Sequence, residues 1–424
     1  GCLGGHPQTR TPNLDRLAGQ GVLFTNAHCA APLCNPSRTA IMTGLRPSTS
    51  GVYLNSQPFR RAPLLANAVT LPLHLRGAGY RAIGAGKIYH GNPDAASWND
   101  YWPSLKSNTP PSPAPAALPA NGIPGSGNMD WGPVSAGDEE MGDFQVVDWV
   151  ARHLAKRVTD PLFLACGLTR PHLPWYVPKK YFDLFPLDGI ELPAVRDDDL
   201  DDVPPIGRKF AGAQGDHKRI TGARKWREAV QAYLASIAFA DAAIGRLLRA
   251  LETGPNGGDF SVVLWSDHGW HLGEKLHWRK FSLWEESTRN VLMIKAPGVT
   301  RGGGRCGRPV SLIDLNPTVA ELCAVGPRRD SEGTSLLPLL RNPGARRDAP
   351  VLTTYQRGNH SLRDERWRYT RYIDGTEELY DHGADPQEFT NLAGRAEHAG
   401  VKARLAAWLP KSDAPDAPAA RERD

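Results

Sequence analysis

Helical patterns and short apolar runs alternate through the middle of the chain, and this alternation is the strongest constraint on its fold. Residues 144–158 carry apolar side chains at helical spacing and are followed by an apolar run at 161–166. The same order recurs as a long helical pattern at 226–251, glycines at 254–258 and an apolar run at 260–265. Repeated units of this kind favour an α/β fold, in which helices cover both faces of a mainly parallel sheet.

Shorter patterns extend the alternation toward both ends of the chain. A helix is predicted at 11–17, where a threonine cap precedes a proline in the first turn, and Gly21 ends it. We predict further strands at 80–83 and 291–294 and a further helix at 315–322. The main α/β domain is therefore expected to continue well beyond the central units.

The pattern changes beyond residue 349, where short strands are predicted at 367–373 and 378–380. The Asp374-Gly375 pair between them is a hairpin-turn signal. We therefore predict an α/β domain over 1–348 and a smaller C-terminal α+β domain with an antiparallel sheet over 349–410.

Two segments have compositions that disfavour regular structure. Residues 103–127 are rich in Pro, Ala, Gly and Ser, which neither hold a helix nor pair as a central strand, and we predict an excursion over the surface. Residues 411–424 are charged and rich in Ala and Pro, and we predict that they are disordered.

Composition restricts the class of partner. The net charge of +5 comes from 50 basic and 45 acidic residues, and the arginines are scattered, so no nucleic-acid surface is indicated. No apolar stretch approaches the ~20 residues that cross a bilayer, and the start lacks the features of a signal peptide. The six cysteines have no zinc-like spacing and form no dense disulfide framework.

The segment 34–38 (CNPSR) carries the strongest chemical signal. It places Cys34 just outside a predicted helix that Asn35 caps and Gly44 ends, with Arg38 one turn inside. A helix N-terminus and an arginine both favour a developing anion. The structural alternative is a partly buried thiol beside an ordinary helix cap.

A second signal follows the predicted strand at 260–265. Asp267 and His268 stand at its carboxyl end, where open α/β sheets collect ligands. They are credible cation ligands, although a turn with a capping aspartate would have the same sequence.

Residues 34–38 followed by 43–47 (TGLRP) resemble the signature of type I sulfatases, in which this cysteine is oxidised to formylglycine. The resemblance implies that a sulfatase-maturing enzyme is a partner and that the aldehyde hydrate is the nucleophile. One hydroxyl of the hydrate attacks the sulfate, and deprotonation of the other expels it as the aldehyde re-forms.

Other segments resemble the same family in the same order. Residues 266–274 (SDHGWHLGE) with Lys280 resemble its second metal-binding segment, which implies that Asp267, His268 and the modified Cys34 hold a divalent ion, usually calcium. The ion would polarise the sulfate oxygens.

Two more segments complete the implied site. Residues 86–90 (GKIYH) resemble the pair in which Lys87 would hold the sulfate and His90 the hydrate, and residues 169–174 (TRPHLP) place His172 at the ester oxygen. Either His172 or Lys280 would protonate the departing alkoxide as general acid. Singly, such a lysine and histidine are as readily ordinary loop residues.

The resemblance extends from residues 4–7 (GGHP) to residues 378–381 (ELYD) and implies an alkaline phosphatase-like fold with 1–348 as the catalytic domain. The motifs are most similar to the iduronate-2-sulfatase branch and its bacterial relatives, which implies a sulfated sugar as substrate. The family's first strand and its two aspartates are expected before Gly1 and are missing from the sequence, which predicts weak metal binding and a groove in the sheet.

Two alternatives stay open. Phosphodiester and phosphonate monoester hydrolases of the same superfamily use the same modified cysteine, and a truncated relative could bind its ligand without catalysis. By analogy with the family, the periplasm or the outside of the cell is the expected location.

Overall fold

The structure is a computed structural model and describes residues 1–212 and 215–420. The helices are α1 Pro12–Gln20, α2 Cys34–Thr43, α3 Pro47–Ser50, α4 Leu71–Gly77, α5 Gly142–Leu154, α6 Lys179–Phe182, α7 Pro205–Gly212, α8 Asp216–Gly222, α9 Trp226–Thr253, α10 Glu285–Thr288, α11 Leu315–Leu322, α12 Leu337–Arg341 and α13 Ala399–Ala406. The strands are β1 Val22–His28, β2 Arg81–Gly86, β3 Asp100–Trp102, β4 Trp131–Val134, β5 Leu162–Gly167, β6 Trp175–Pro178, β7 Val262–Trp265, β8 His271–Leu272, β9 Trp278–Arg279, β10 Arg289–Lys295, β11 Gly304–Cys306, β12 Val310–Ser311, β13 Val351–Thr354, β14 His360–Arg363, β15 Trp367–Arg371 and β16 Glu377–Asp381.

The chain forms two compact units, each assembled from separated segments. The first unit contains residues 1–20, 75–193 and 215–260, and the second contains residues 21–74, 194–214 and 261–424. The predicted boundary after residue 348 falls inside the second unit, and as a domain boundary it stays a prediction.

The first unit is built on parallel strands. Its main sheet has the order β3-β2-β5, with both neighbours parallel to β2, and β4 pairs with β6 in parallel. The amphipathic helix α5 packs on β2 and β5 and also against α9, where the rings of Phe144 and Phe239 lie 5.3 Å apart. These helix-covered parallel strands confirm the predicted α/β pattern.

The second unit contains a mixed sheet in the order β11-β1-β10-β7, with β12 also paired to β1. Strands β11 and β12 run parallel to β1, whereas β10 is antiparallel to both β1 and β7. The segment between β7 and β10 contains the β8–β9 hairpin and the single turn α10 but no long crossover helix, and β10 returns antiparallel beside β7. Helices α2 and α11 pack together in the same unit.

The C-terminal strands β13 to β16 form an antiparallel meander, as predicted. The hairpin between the last two strands closes through a bond from Tyr372 N to Thr376 O of 2.9 Å, and Gly375 supplies the positive φ of 84° that the turn requires. Helix α13 covers one face, where Leu405 packs with Tyr369 and Leu379.

Two secondary-structure elements end at other residues than predicted. The strand expected at 80–83 extends as β2 to Gly86, because the glycines of the expected loop allow close approach. A Cβ on Gly86 would lie 2.0 Å from Gly167 O of the paired strand. The helix expected over 144–158 ends at Leu154.

The predictions for the two segments of unusual composition have different outcomes. Residues 103–127, all of them described, contain neither a helix nor a ladder strand, and an isolated bridge joins Ser104 to Ser107. The disorder predicted for 411–424 is wrong for residues 411–420, and residues 421–424 lie outside the described ranges.

Backbone hydrogen bonds at every third residue hold the C-terminal tail. The amides of Ala414, Ala417 and Ala420 donate to the carbonyls of Ser48, Gly51 and Ser56 at 2.7, 2.8 and 2.7 Å. Proline excludes helix and sheet here, but an extended chain can still pair its remaining amides with a neighbouring loop. Within the described ranges, no helix is both long enough and apolar enough to cross a bilayer.

Candidate active site

Cys34 is the first residue of the fully buried helix α2. Asn35 was expected to cap this helix, but Leu33, with an extended backbone, occupies the cap position. The side-chain amide of Asn35 instead donates to Leu54 O at 3.0 Å and to Gln57 O at 2.6 Å. The helix therefore starts two residues earlier than predicted, and its N-terminal amides surround position 34 more closely.

Arg38 and Ser37 connect this helix to the end of strand β7. Arg38 Nε donates to Asp267 Oδ2 at 2.7 Å, and only 10% and 13% of the two side chains are exposed. The guanidinium also lies 5.7 Å from the ring centre of Trp265. Ser37 Oγ donates to Asp267 O at 2.5 Å. A shielded ion pair and a hydrogen bond thus fix Asp267 beside α2.

Two side chains converge on the sulfur of Cys34. Lys280 Nζ lies 3.1 Å and His268 Nε2 lies 3.3 Å from Cys34 Sγ. His268 Nδ1 donates to Gly269 O at 2.9 Å, so Nε2 is the ring nitrogen that faces the sulfur. The atom at position 34 therefore has a cation on one side and a basic nitrogen on another.

Lys280 is buried although it carries a charge. It is 3% exposed, and its ammonium lies 5.7 Å from the ring of Trp270 and 5.6 Å from that of Phe281. Aromatic faces favour a cation at these distances. The ammonium is thereby held in a site where its field is screened less than in water.

Potential metal ligands also converge here. One ligand atom each from Cys34, Asp267 and His268 lies within 4.8 Å of the others. The set provides one carboxylate, one ring nitrogen and one sulfur, whereas calcium takes about six to eight oxygen ligands. These three residues do not by themselves fit the calcium ion that the sequence predicts.

A second cluster of potential ligands is formed by Glu285, His382 and Glu388. The guanidinium of Arg368 bonds to both carboxylates and is almost fully buried between them. It already supplies the positive charge that a metal would bring, so this cluster is a structural ion-pair network.

The other predicted residues belong to the first unit. Lys87 and His90 follow β2, and His172 follows β5; since these strands are adjacent and parallel, all three leave the same edge of that sheet. Lys87 N donates to Gly167 O at 2.8 Å. His172 Nδ1 donates to Leu173 O at 2.7 Å, which makes Nε2 the basic nitrogen of its ring. The second unit, described by itself, brings together the remaining five predicted residues: Cys34, Arg38, Asp267, His268 and Lys280.

Sequence reasoning assigned no role to Ser37, Trp265 or Trp270, which contact Asp267, Arg38 and Lys280 respectively. All three lie inside or beside segments that sequence reasoning singled out. Their positions next to charged site residues in the sequence were the one signal that could have indicated a role. Which charged side chain each of them contacts depends on the fold.

Comparisons with known proteins agree with this chemistry. A family model described as "Sulfatase" matches residues 1–325, and one described as "N-sulphoglucosamine sulphohydrolase, C-terminal" matches residues 273–414. A "Sulfatase" of Formosa agariphila is 38% identical over 96% of this chain and 82% of its own length. An iduronate 2-sulfatase of Mus musculus is 32% identical over 71% of this chain and 57% of its own length.

Solved structures share the fold. A phosphonate monoester hydrolase of Silicibacter pomeroyi superposes with a TM-score of 0.79 at 22% identity, covering 96% of this chain and 91% of that one. A protein in complex with its substrate D-glucosamine-2-N,6-O-disulfate superposes with a TM-score of 0.71 at 21% identity, covering 94% and 91%. These likenesses confirm the alkaline phosphatase-like fold. The matched family model and the relatives show that the chain belongs to the type I sulfatase family of sulfuric ester hydrolases, whose members include iduronate 2-sulfatases and bacterial relatives.

Proposed function

We propose that the chain hydrolyses a sulfate ester of a sugar through a formylglycine hydrate formed from Cys34. The observation that carries the proposal is the position of Cys34 Sγ, at the start of α2 with Lys280 Nζ at 3.1 Å and His268 Nε2 at 3.3 Å. This is where a nucleophilic oxygen is stabilised as an anion, by an ammonium and by helix amides.

In the first step a hydroxyl of the hydrate, which takes the place of Sγ, loses its proton and attacks sulfur. The new oxygen–sulfur bond forms as the bond between sulfur and the alcohol oxygen breaks, and a general acid protonates the departing alkoxide. We propose His172 or Lys280 as that acid and Lys87 and His90 as ligands of sulfate and hydrate, as the family resemblance implies.

In the second step the remaining hydroxyl loses its proton and the carbonyl re-forms. The carbon–oxygen bond to the sulfate breaks, sulfate leaves, and water adds to the aldehyde to restore the hydrate. An unmodified thiol has no second hydroxyl and would be left as a sulfated enzyme. This difference is the chemical reason to propose that Cys34 is modified by a sulfatase-maturing enzyme.

The proposed substrate class rests on the relatives. Their names include iduronate 2-sulfatase and Δ4,5-hexuronate-2-O-sulfatase, and one structural neighbour was solved with a sulfated glucosamine. Calcium stays a proposal without structural support, since the three described donors do not complete its coordination.

Peptide mapping and turnover together test the proposal. Protein produced with a maturing enzyme should lose about 18 mass units at Cys34, as expected when a thiol becomes an aldehyde. It should cleave an aryl sulfate, and Cys34→Ala should abolish that cleavage, whereas the control Cys323→Ala should retain it. An unmodified, fully active Cys34 would contradict the mechanism.

The same assay separates the rival enzyme class. The phosphonate monoester hydrolases among the structural neighbours share the fold, and an aryl phosphonate monoester carries the same single charge as an aryl sulfate. Faster turnover of the phosphonate ester by the modified protein would reject the sulfatase proposal in favour of that class.

A further inference from the structure

Lys280 is presented by a loop that is strained along its backbone. The loop runs through the β8–β9 hairpin, and four of its non-glycine residues adopt positive φ angles of 56°, 48°, 74° and 78°: Lys275, Leu276, Arg279 and Phe281. This left-handed backbone is unfavourable for residues that carry a Cβ. The conformation that delivers Lys280 therefore depends on contacts from outside the loop.

His277 makes such a contact. Its ring is buried, with 1% of the residue exposed, and Nδ1 lies 2.9 Å from Ala211 O on helix α7. Nε2 lies 2.6 Å from Lys280 O. The ring thus connects the carbonyl of the site lysine to a helix that is distant in sequence.

The chemistry of these partners determines the protonation of the ring. A carbonyl oxygen only accepts hydrogen bonds, and a neutral imidazole has a single N–H. Both contacts of His277 are hydrogen bonds only if both ring nitrogens carry a proton. The pair of carbonyls thus selects the imidazolium form.

The neighbouring histidine, His271, is a neutral ring. The ring centres of His271 and His277 lie 5.0 Å apart. Burial, and then the positive charge of His277, hold the pKa of His271 well below its usual value. His271 is therefore neutral, and the charged ring faces a neutral one and not a second cation.

We propose that His277 is a positioning residue for Lys280: as an imidazolium it donates to the carbonyls of Ala211 and Lys280 and so fixes Lys280 Nζ beside position 34. The ring touches neither the substrate nor the nucleophile in this role. It stabilises a strained loop in the one arrangement that leaves Nζ 3.1 Å from Cys34 Sγ. The catalytic part of this inference rests on the proposed function, whereas the protonation of His277 does not.

Nitrogen NMR tests the protonation without any turnover. The full chain labelled with ¹⁵N-histidine contains 13 histidines, and the signals of His277 are identified by their loss in His277→Gln. We expect both ring nitrogens of His277 to show the protonated, imidazolium shifts at neutral pH. A single unprotonated nitrogen would overturn the proposal, and if His277→Gln does not fold, the loss of the same signals in His277→Asn identifies them.

Kinetics of the modified enzyme test the positioning. A glutamine carries its two N–H donors on one nitrogen and cannot reproduce the two separate ring donors. His277→Gln should therefore lower kcat about 100-fold, as misplacement by about 1 Å does, with KM changed far less. His398→Gln, a half-buried histidine outside the site, is the matched control and should retain its kcat. A His277→Gln enzyme with wild-type kcat would overturn the positioning role, and a wild type that cleaves no sulfate ester would instead reject the proposed function.

Discussion

The buried carboxylate of Glu388 gives the sharpest quantitative prediction for this fold. Its Oε1 accepts from Arg368 Nε at 2.5 Å and from His382 Nε2 at 2.9 Å, and its Oε2 accepts from Glu285 N at 3.0 Å. The residue is fully buried. We expect Glu388→Gln, which keeps the shape and removes the charge, to destabilise the protein strongly at neutral pH.

The magnitude follows from the pKa of this carboxyl. Burial alone would raise the pKa, but the charge of Arg368 and the bond from His382 outweigh burial and hold the pKa of Glu388 at about 2, against 4.5 for the free group. At about 1.4 kcal/mol for each pH unit, the difference corresponds to about 3 kcal/mol. Breaking a buried ion pair by removing one partner costs about 3–5 kcal/mol, which agrees.

The dependence on pH distinguishes charge from packing. Because the pKa is lower in the folded state, the unfolded chain takes up the proton first as the pH falls. The stabilisation is therefore complete above about pH 5 and decreases by about 1.4 kcal/mol per pH unit between about pH 4 and pH 2.

Urea unfolding of the wild type and Glu388→Gln at pH 7, 5 and 3.5 measures this gap. The exposed Glu397→Gln is the matched control and should stay within about 0.5 kcal/mol of the wild type. A gap that is as wide at pH 3.5 as at pH 7 would refute the electrostatic reasoning and assign the loss to packing.

Three further changes probe the site and its supports. Arg38→Lys keeps the charge but loses the guanidinium geometry that holds Asp267, and we expect kcat/KM for an aryl sulfate to fall about 10-fold or more. Gly167→Ala would place a Cβ 2.4 Å from the carbonyl of Lys87, so the free energy of unfolding should fall by about 1–3 kcal/mol in urea titrations. Removing residues 411–424 deletes the three backbone hydrogen bonds of the tail and side-chain bonds such as that from Gln57 Nε2 to Ala417 O, and should lower that free energy by about 2–4 kcal/mol. An unchanged thermal midpoint would contradict the packed tail.

Local patterns were sufficient to predict the elements that position the nucleophile. The helix after Cys34, its end at Gly44 and the strand before Asp267 follow from proline, glycine and apolar spacing within about ten residues. The tail was mispredicted because composition excludes helix and sheet but is silent about an extended segment whose amides pair with another loop. Composition therefore distinguished regular from irregular structure, not ordered from disordered structure.

Local sequence patterns could not predict contacts between residues that lie far apart in the sequence. The bond between Arg38 and Asp267 spans 229 residues, and that between Lys280 and Cys34 spans 246. Sequence placed these residues together only through resemblance to a family. The contact of His277 with Ala211 lies in no motif that was singled out, so only the fold identifies it.

The charged groups around position 34 determine which charge on an ester this part of the structure favours. Arg38 is paired directly with Asp267, so their charges offset each other, and Lys280 places a positive charge 3.1 Å from Cys34 Sγ. The amides of α2 contribute a further partial positive charge of about one half. The lysine and the helix amides favour an anionic ester at position 34, because burying a negative charge without a partner is costly. Charge alone does not distinguish a sulfate ester from a phosphonate monoester, since each carries one negative charge, so the comparison of their turnover is the deciding measurement.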